Sequence, residues 1–193
     1  RRVRMGEMRF MENPSFVPNL CEVWTTIPIF ITAGGKNTGE EEYIVEEAYM
    51  RQALTLAEEA AADGEVPVGC VIVREGVVVG RGRNRREEKQ SALSHAETEA
   101  IAQANRRLQS WRLDGCELYV TLEPCPMCAG AILNARIARV YFGARDRVMG
   151  ACGGVLNLFM EDFSNRPAVT GGVLEQECGE VLSRFFRRLR EQA

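Results

Sequence analysis

Apolar residues recur at helical spacing early in the chain, at Ile44, Ala48, Leu54, Ala57 and Ala61. Glu40, Glu41 and Glu42 supply negative charge where that helix should begin, and Gly64 supplies its stop. The period then changes. Val68 to Val73 (VGCVIV) and Val77 to Val79 (VVV) are β-branched runs joined through Glu75 and Gly76, which reads as a hairpin. A helix is expected from about His95 to Arg107, a strand at Glu117 to Leu122, and a short helix from Pro126 to Asn134. Arg139 to Ala144 reads as the next strand and Glu180 to Arg190 as the last helix. Strands alternating with helices after an opening hairpin predict an α/β domain around a mixed, largely buried sheet.

The first forty or so residues break this regularity. Thr25 to Thr32 (TTIPIFIT) is apolar but short and interrupted by Pro28, and Gly34 to Gly39 reads as a linker. Residues 1–40 are therefore expected to be an extension, disordered or derived from upstream of the natural start, with the folded domain at 41–193. Composition then narrows the class. The chain of 193 residues is 46% hydrophobic and 26% charged, so it can bury a core. It contains no apolar run of about 18 residues or more, so no membrane partner is expected. A net charge of −3 argues against holding nucleic acid by overall charge, so any such contact must be a local patch. Seven unevenly spaced cysteines argue for free thiols in a reducing compartment and hence a cytoplasmic protein. The single histidine excludes chemistry that needs two.

Candidate chemistry gathers at His95, Cys125 and Cys128. The two-residue gap between the cysteines lets both thiolates face one ion from the first turn of a helix. Alone, the pair also fits a redox dithiol, and a lone histidine also fits a plain core or surface role. Together they supply three N and S ligands, which suit zinc and leave a fourth position for water. The other cysteines (Cys21, Cys70, Cys116, Cys152 and Cys178) form no second such pair, which favours an open, catalytic site. Zinc lowers the pKa of its bound water toward about 7, making hydroxide available. Glu97, two residues from His95, is placed to shuttle protons from that water to a ring nitrogen and a departing amine. Its alternative role is in a capping box, Ser94 to Glu97, at a helix start. The pattern His-x-Glu followed by Pro-Cys-x-x-Cys is a known signature of zinc nucleobase deaminases.

The chain resembles the bacterial tRNA-specific adenosine deaminase family, within the cytidine-deaminase-like superfamily, from about Tyr43 to Arg190. The resemblance rests on Glu65–Gly69 (EVPVG), Asn84, Ser94–Ile101 (SHAETEAI), Thr121–Ile132 (TLEPCPMCAGAI), Phe142–Asp146 (FGARD) and Gly171–Leu174 (GGVL). It implies a three-layer α/β/α cytidine-deaminase-like fold with a central mixed five-stranded sheet. It also implies a homodimer, one zinc per subunit, and conversion of the wobble adenosine in a tRNA anticodon loop to inosine. By motif, His95, Cys125 and Cys128 would be the ligands and Glu97 the shuttle. Asn84 would bond the flipped base or its ribose, Asp146 would meet the nucleotide backbone, and Val68, Leu122 and Ala144 would wall the base pocket.

Asn84 closes a Gly/Arg-rich turn expected from Gly80, where an amide could read a purine edge or simply serve the turn. Asp146, between Arg145 and Arg147, also fits a salt-bridged loop carboxylate. Arg184, Arg187, Arg188 and Arg190 are interleaved with Phe185 and Phe186. That mixture suits phosphates and unstacked bases, or a solvated helix face with a phenylalanine pair in the core. Arg145, Arg147 and Arg166 extend the patch. Ser164-Asn165-Arg166 stands where relatives carry Asn-His-Arg, and Cys70 where they carry alanine. Two other classes compete: a zinc deaminase of a free base or nucleoside (cytosine, guanine or cytidine), and an inactive zinc-bearing scaffold, against which the presence of Glu97 counts.

Overall fold

The computed structural model describes residues 39–192. In chain order the elements are α1 (Gly39–Ala62), β1 (Gly69–Arg74), β2 (Val77–Arg83), α2 (Arg86–Lys89), α3 (Ala96–Leu108) and β3 (Glu117–Leu122). They continue through α4 (Pro126–Ala135), β4 (Arg139–Ala144), a 3-10 turn (Leu158–Met160), β5 (Ala168–Gly171) and α5 (Glu175–Gln192). The five strands form one mixed sheet in the order β2-β1-β3-β4-β5. β1 runs antiparallel to both β2 and β3, while β3, β4 and β5 are parallel. No helix among the described residues is long and apolar enough to cross a membrane. The extension expected at 1–40 lies outside the described residues except for Gly39 and Glu40, which open α1.

Side chains alternate across the strands, and this alternation builds two cores. Cys70, Ile72, Leu118, Val120, Val140 and Phe142 face α3 and α4, meeting Ala96, Ala100, Ala104, Ala129 and Ile132. Val71, Val73, Tyr119 and Tyr141 face the other way, against Tyr49, Met50 and Ala53 of α1 and Cys178 of α5. The expected three-layer α/β/α arrangement is present. Tyr119 and Tyr141 stack at 4.6 Å between ring centroids.

Two elements escape the periodic pattern. β5 is an exposed edge strand of four residues whose side chains are buried on neither face, so no alternation marks it. The last helix begins at Glu175, five residues before its apolar pattern becomes regular. A third difference is a correction: Gly80 to Arg83 are strand residues of β2 and not a turn. Their glycines serve packing. A Cβ on Gly82 would stand 2.5 Å from the Ala100 nitrogen, so α3 lies directly on the β2 backbone.

Neighbouring contacts fix the direction of each helix. Glu58 of α1 pairs with Arg184 of α5 at 3.2 Å, and Arg51 lies 4.0 Å from Glu177, so the two helices run parallel. Gly69 packs against Ala53 and Ala57, while the Tyr49 hydroxyl donates to Gly76 O at 2.9 Å. α1 therefore runs opposite to β1, and parallel to β3 and β4. α5 starts beside the carboxyl end of β4, where Gly143 meets Cys178. Its later turns therefore project past the carboxyl edge of the sheet.

Candidate active site

The carboxyl end of β2 leads through α2 to the amino end of α3, that of β3 leads into α4, and the candidate ligands sit at the starts of α3 and α4. His95 is the N-cap of α3 and Cys125 the N-cap of α4, both in extended backbone conformations, with Pro126 opening α4. An N-cap is not yet helical, so its side chain is free to turn aside from the helix axis. Cys128 follows one turn into α4 and is fully buried. His95 Nδ1 lies 3.7 Å from Cys125 Sγ and 3.6 Å from Cys128 Sγ. All three ligand atoms lie within 4.8 Å of one another.

Those separations test the fit to zinc. Zn–N and Zn–S bonds of about 2.0–2.1 and 2.3 Å at tetrahedral angles put nitrogen and sulfur about 3.5 Å apart. The observed spacing agrees, and three donors leave one tetrahedral position open. The proton inventory also suits a metal. The Cys128 thiol and His95 hold the Cys125 sulfur as a thiolate, with its pKa lowered to about 4 against the effect of burial. Cys128 is pushed upward by its bond to Cys125 and by burial, so its proton is the one a metal must displace. The His95 ring is raised, chiefly through its bond to Cys125.

Glu97 lies in the first turn of α3 and is 3% exposed. With His95 as the N-cap, Ser94 stands one place too early for a capping box, so that alternative role is removed. Burial is the main cause that raises the Glu97 carboxyl to about 7, and the Cys125 thiolate adds to it. A carboxyl poised near neutrality can both take and return a proton. Cys70, fully buried, is raised by burial and by Glu97.

The expected substrate residues divide. Asn84 follows β2 directly, is 5% exposed, and its backbone N–H donates to Val68 O at 3.0 Å, so these two residues stand together. Leu122 and Ala144 pair in register at the carboxyl ends of β3 and β4, with Ala144 buried and Leu122 half-buried. Both pack into the core beneath α1 and α5. Asp146 is no salt-bridged carboxylate: its Oδ1 accepts the N–H groups of Val148 and Met149 at 2.8 and 3.0 Å, closing a turn. Arg145 and Arg147 are exposed on that loop, Arg145 with its guanidinium 5.7 Å from the Phe142 ring centroid. Arg187 is exposed on the projecting part of α5. Phe185 needs correction as a stacking residue: it is 7% exposed, because it faces inward on α5, whereas Phe186 is 42% exposed. Asn165 donates to Leu133 O at 3.3 Å, so its segment rests on the carboxyl end of α4, away from the ligands.

Two buried carboxyls were missed as functional candidates. Glu65 is 1% exposed and accepts Asn84 Nδ2 at 3.2 Å and the Glu88 N–H at 2.8 Å. Glu123, 2% exposed, accepts three backbone N–H groups from the loop after β4. The available signal was an acidic residue in an otherwise apolar segment next to a proline-containing motif.

Comparison with known proteins agrees with this geometry. Residues 44–144 match the cytidine and deoxycytidylate deaminase zinc-binding region. The tRNA-specific adenosine deaminase of Bacillus subtilis is 47% identical over 148 residues, which cover 76% of this chain and 92% of that protein. A solved structure from work on A-to-I editing by tRNA:A34 deaminases at the wobble position is 42% identical, with a TM-score of 0.68 over 70% of this chain and 99% of the other. A guanine deaminase from Nitrosomonas europaea is more distant, at 26% identity and a TM-score of 0.58 over 72% of this chain and 83% of the other. The chain belongs to the zinc-binding cytidine and deoxycytidylate deaminase family, among the relatives of the tRNA-specific adenosine deaminases.

Proposed function

We propose that this chain converts the wobble adenosine of a tRNA anticodon to inosine by hydrolysis, releasing ammonia. The observation that carries the reading is the buried carboxyl of Glu97 beside the His95, Cys125 and Cys128 cluster. His95, Cys125 and Cys128 would hold one zinc per subunit, which would supply the Lewis acidity that makes hydroxide available near neutral pH. Glu97 takes a proton from the attacking water as its oxygen bonds to C6, and delivers that proton to N1 of the purine. It then takes the remaining proton of the new C6 hydroxyl and passes it to the exocyclic nitrogen, so that the C6–N6 bond breaks, ammonia leaves and C6–O becomes the carbonyl of inosine. Burial of Glu97 serves this role, because a carboxyl raised to about 7 is a stronger base than an ordinary one and near neutral pH can both take up a proton and give it back.

The adenine must leave its stack to reach the site. The Asn84 amide is suited to a purine edge, since an amide offers both donor and acceptor. Val68, beside Asn84, contributes apolar wall, Leu122 and Ala144 support the strand ends from the core beneath α1 and α5, and Asp146 orders the loop that carries Arg145 and Arg147 toward the nucleotide backbone. Arg187 extends the same basic surface from α5. A homodimer is supported by apolar side chains left outside the core between β4 and β5, including Val148 at 79% and Met160 at 73% exposure. The cytoplasm is the fitting compartment, since the cysteines of the described residues are all free.

The test is a substrate panel with zinc-loaded protein: an anticodon stem-loop with adenosine at the wobble position, the same loop with cytidine, and free adenosine, cytidine, cytosine and guanine. Inosine from the adenosine loop alone supports the proposal. Turnover of a free base or nucleoside with a silent RNA lane keeps the zinc chemistry and replaces the substrate.

A further inference from the structure

The proposed chemistry leaves the buried carboxyl of Glu123 without a task, yet its surroundings are specific. Oε1 accepts the N–H groups of Cys152 and Gly154 at 2.9 and 2.8 Å, and Oε2 accepts that of Asp146 at 3.1 Å. The loop folds over the carboxyl only because of two glycines. A Cβ on Gly150 would stand 2.6 Å from Glu123 Cδ, and one on Gly154 would stand 2.6 Å from Oε2. Backbone bonds close the seam: the Glu123 N–H donates to Ala144 O and the Ala151 N–H to Pro124 O, both at 2.8 Å. The loop of residues 145–154 is thus wrapped around one side chain that lies two residues before Cys125 in the chain.

We propose that Glu123 is a positioning residue, which clamps this loop to the ligand-bearing segment and so sets where Arg145, Asp146 and Arg147 meet the RNA. What the loop meets rests on the tRNA reading above; the clamp does not. Three N–H donors converging on two oxygens demand an acceptor at both, which only a carboxyl provides among side chains of this length. An apolar replacement would strand three amides, and a shorter acid would not reach them. Glutamine fails in a more selective way. Its oxygen can keep Cys152 and Gly154, but its NH2 then faces the Asp146 N–H, donor against donor. Asp146 is the residue whose carboxyl closes the next turn, so the disturbance falls on the tip that carries Arg147.

The experiment uses zinc-loaded Glu123→Gln protein and two readouts. In amide exchange, the Asp146 N–H is expected to exchange at least about tenfold faster, with Cys152 and Gly154 still protected. On the anticodon stem-loop, KM is expected to rise about tenfold, with kcat within about twofold of the parent and zinc still stoichiometric. Gly154→Ala strains the same seam by a second route, since it leaves Glu123 intact and drives a methyl group onto the Asp146 carbonyl and Glu123 Oε2. Unchanged exchange at Asp146 in both variants overturns the clamp. A fall in kcat or in zinc content with KM unmoved overturns the positioning role. Exchange needs no RNA, so a parent protein that is silent on the stem-loop would defeat the tRNA reading while the clamp is still decided.

Discussion

Asn84 Nδ2 donates to Glu65 Oε2 at 3.2 Å, while the other oxygen of Glu65 accepts the Glu88 N–H at 2.8 Å, so one buried carboxyl holds a candidate base-reading amide and the start of α2 together. The consequence is orientation. An unrestrained amide can flip by half a turn and exchange its donor and acceptor. An acceptor fixed on its NH2 group leaves one orientation, with the carbonyl oxygen and the second N–H available elsewhere.

Glu65→Gln is expected to disturb that lock, because one carbonyl oxygen cannot accept from both Asn84 and Glu88. The loss of a buried acceptor costs roughly 1–3 kcal/mol of stability. Turnover efficiency on the anticodon stem-loop should fall by about tenfold, equivalent to ~1.4 kcal/mol of transition-state stabilisation. Thermal melting and steady-state kinetics on the same preparation check both, and parental kinetics would show that Asn84 needs no such support.

Glu97→Gln separates the carboxyl's chemical role from any structural one. With no capping box to lose, the variant should retain α3 and its metal, while turnover drops about 10²- to 10⁴-fold. The pH dependence of stability in metal-stripped protein provides a second readout. The folded-state pKa lies near 7 and the unfolded value near 4.5, so between them the folded state holds a proton that the unfolded state has lost. Burying this group therefore costs stability progressively as pH rises through that window. The glutamine variant should gain on the parent between pH 5 and pH 8 in denaturant midpoints, by an amount of order 1–3 kcal/mol. A constant difference across that range would show that Glu97 is not raised.

Zinc uptake should release protons. The Cys125 sulfur is already a thiolate at neutral pH, while Cys128 keeps its proton through its bond to Cys125 and its burial. Adding zinc to metal-free protein near pH 7.5 should therefore liberate at least about one proton per site, and affinity should weaken as pH falls. Titration in a weakly buffered indicator solution measures the yield. Cys128→Ser should lose both the release and the metal.

The legible parts of this molecule are those in which one residue type meets one demand. The runs VGCVIV, ELYVTL and RVYFGA announce buried strands because both faces of each are apolar, and both cores of the fold use them. The His95, Cys125 and Cys128 cluster was readable because so few side chains can hold zinc. β5 was not, since an exposed edge strand carries no alternation. Glu65 and Glu123 escaped as functional residues for a related reason: their work is to accept backbone N–H groups from distant segments, and no local spacing encodes such partners. Phe185 beside Arg187 looked like a stacking residue because sequence places both on one helix but does not say which side of it faces the sheet.

Gly82 makes the close approach of α3 to β2 testable. A methyl group there would stand 2.5 Å from the Ala100 nitrogen and 3.0 Å from Glu99 Cβ, and neither is the free end of a flexible chain. Gly82→Ala should therefore force the helix off the strand, at a cost of about 1–3 kcal/mol or more. Because α3 carries His95 and Glu97, the displacement should also reduce zinc occupancy. Melting temperature and metal content, measured together, should fall together.

Arg187→Ala tests whether α5 meets RNA. The helix runs parallel to β4 and passes beyond its carboxyl edge, the edge from which the zinc ligands also depart. Arg187 is exposed on this projecting stretch, whereas Arg184 nearer the sheet is paired with Glu58. A side chain that contacts a phosphate contributes electrostatically and with little regard for sequence. Its removal should raise KM for the anticodon stem-loop several-fold and leave kcat near the parent value. The dependence of log affinity on log salt should become shallower by about 0.7–0.9 for the lost phosphate contact. Arg184→Ala serves as the control, since it breaks a surface ion pair worth about 0–1 kcal/mol and should leave the salt slope alone. Equal effects of the two substitutions would assign α5 to the solvated exterior and move the RNA surface to the loop that carries Arg145 and Arg147.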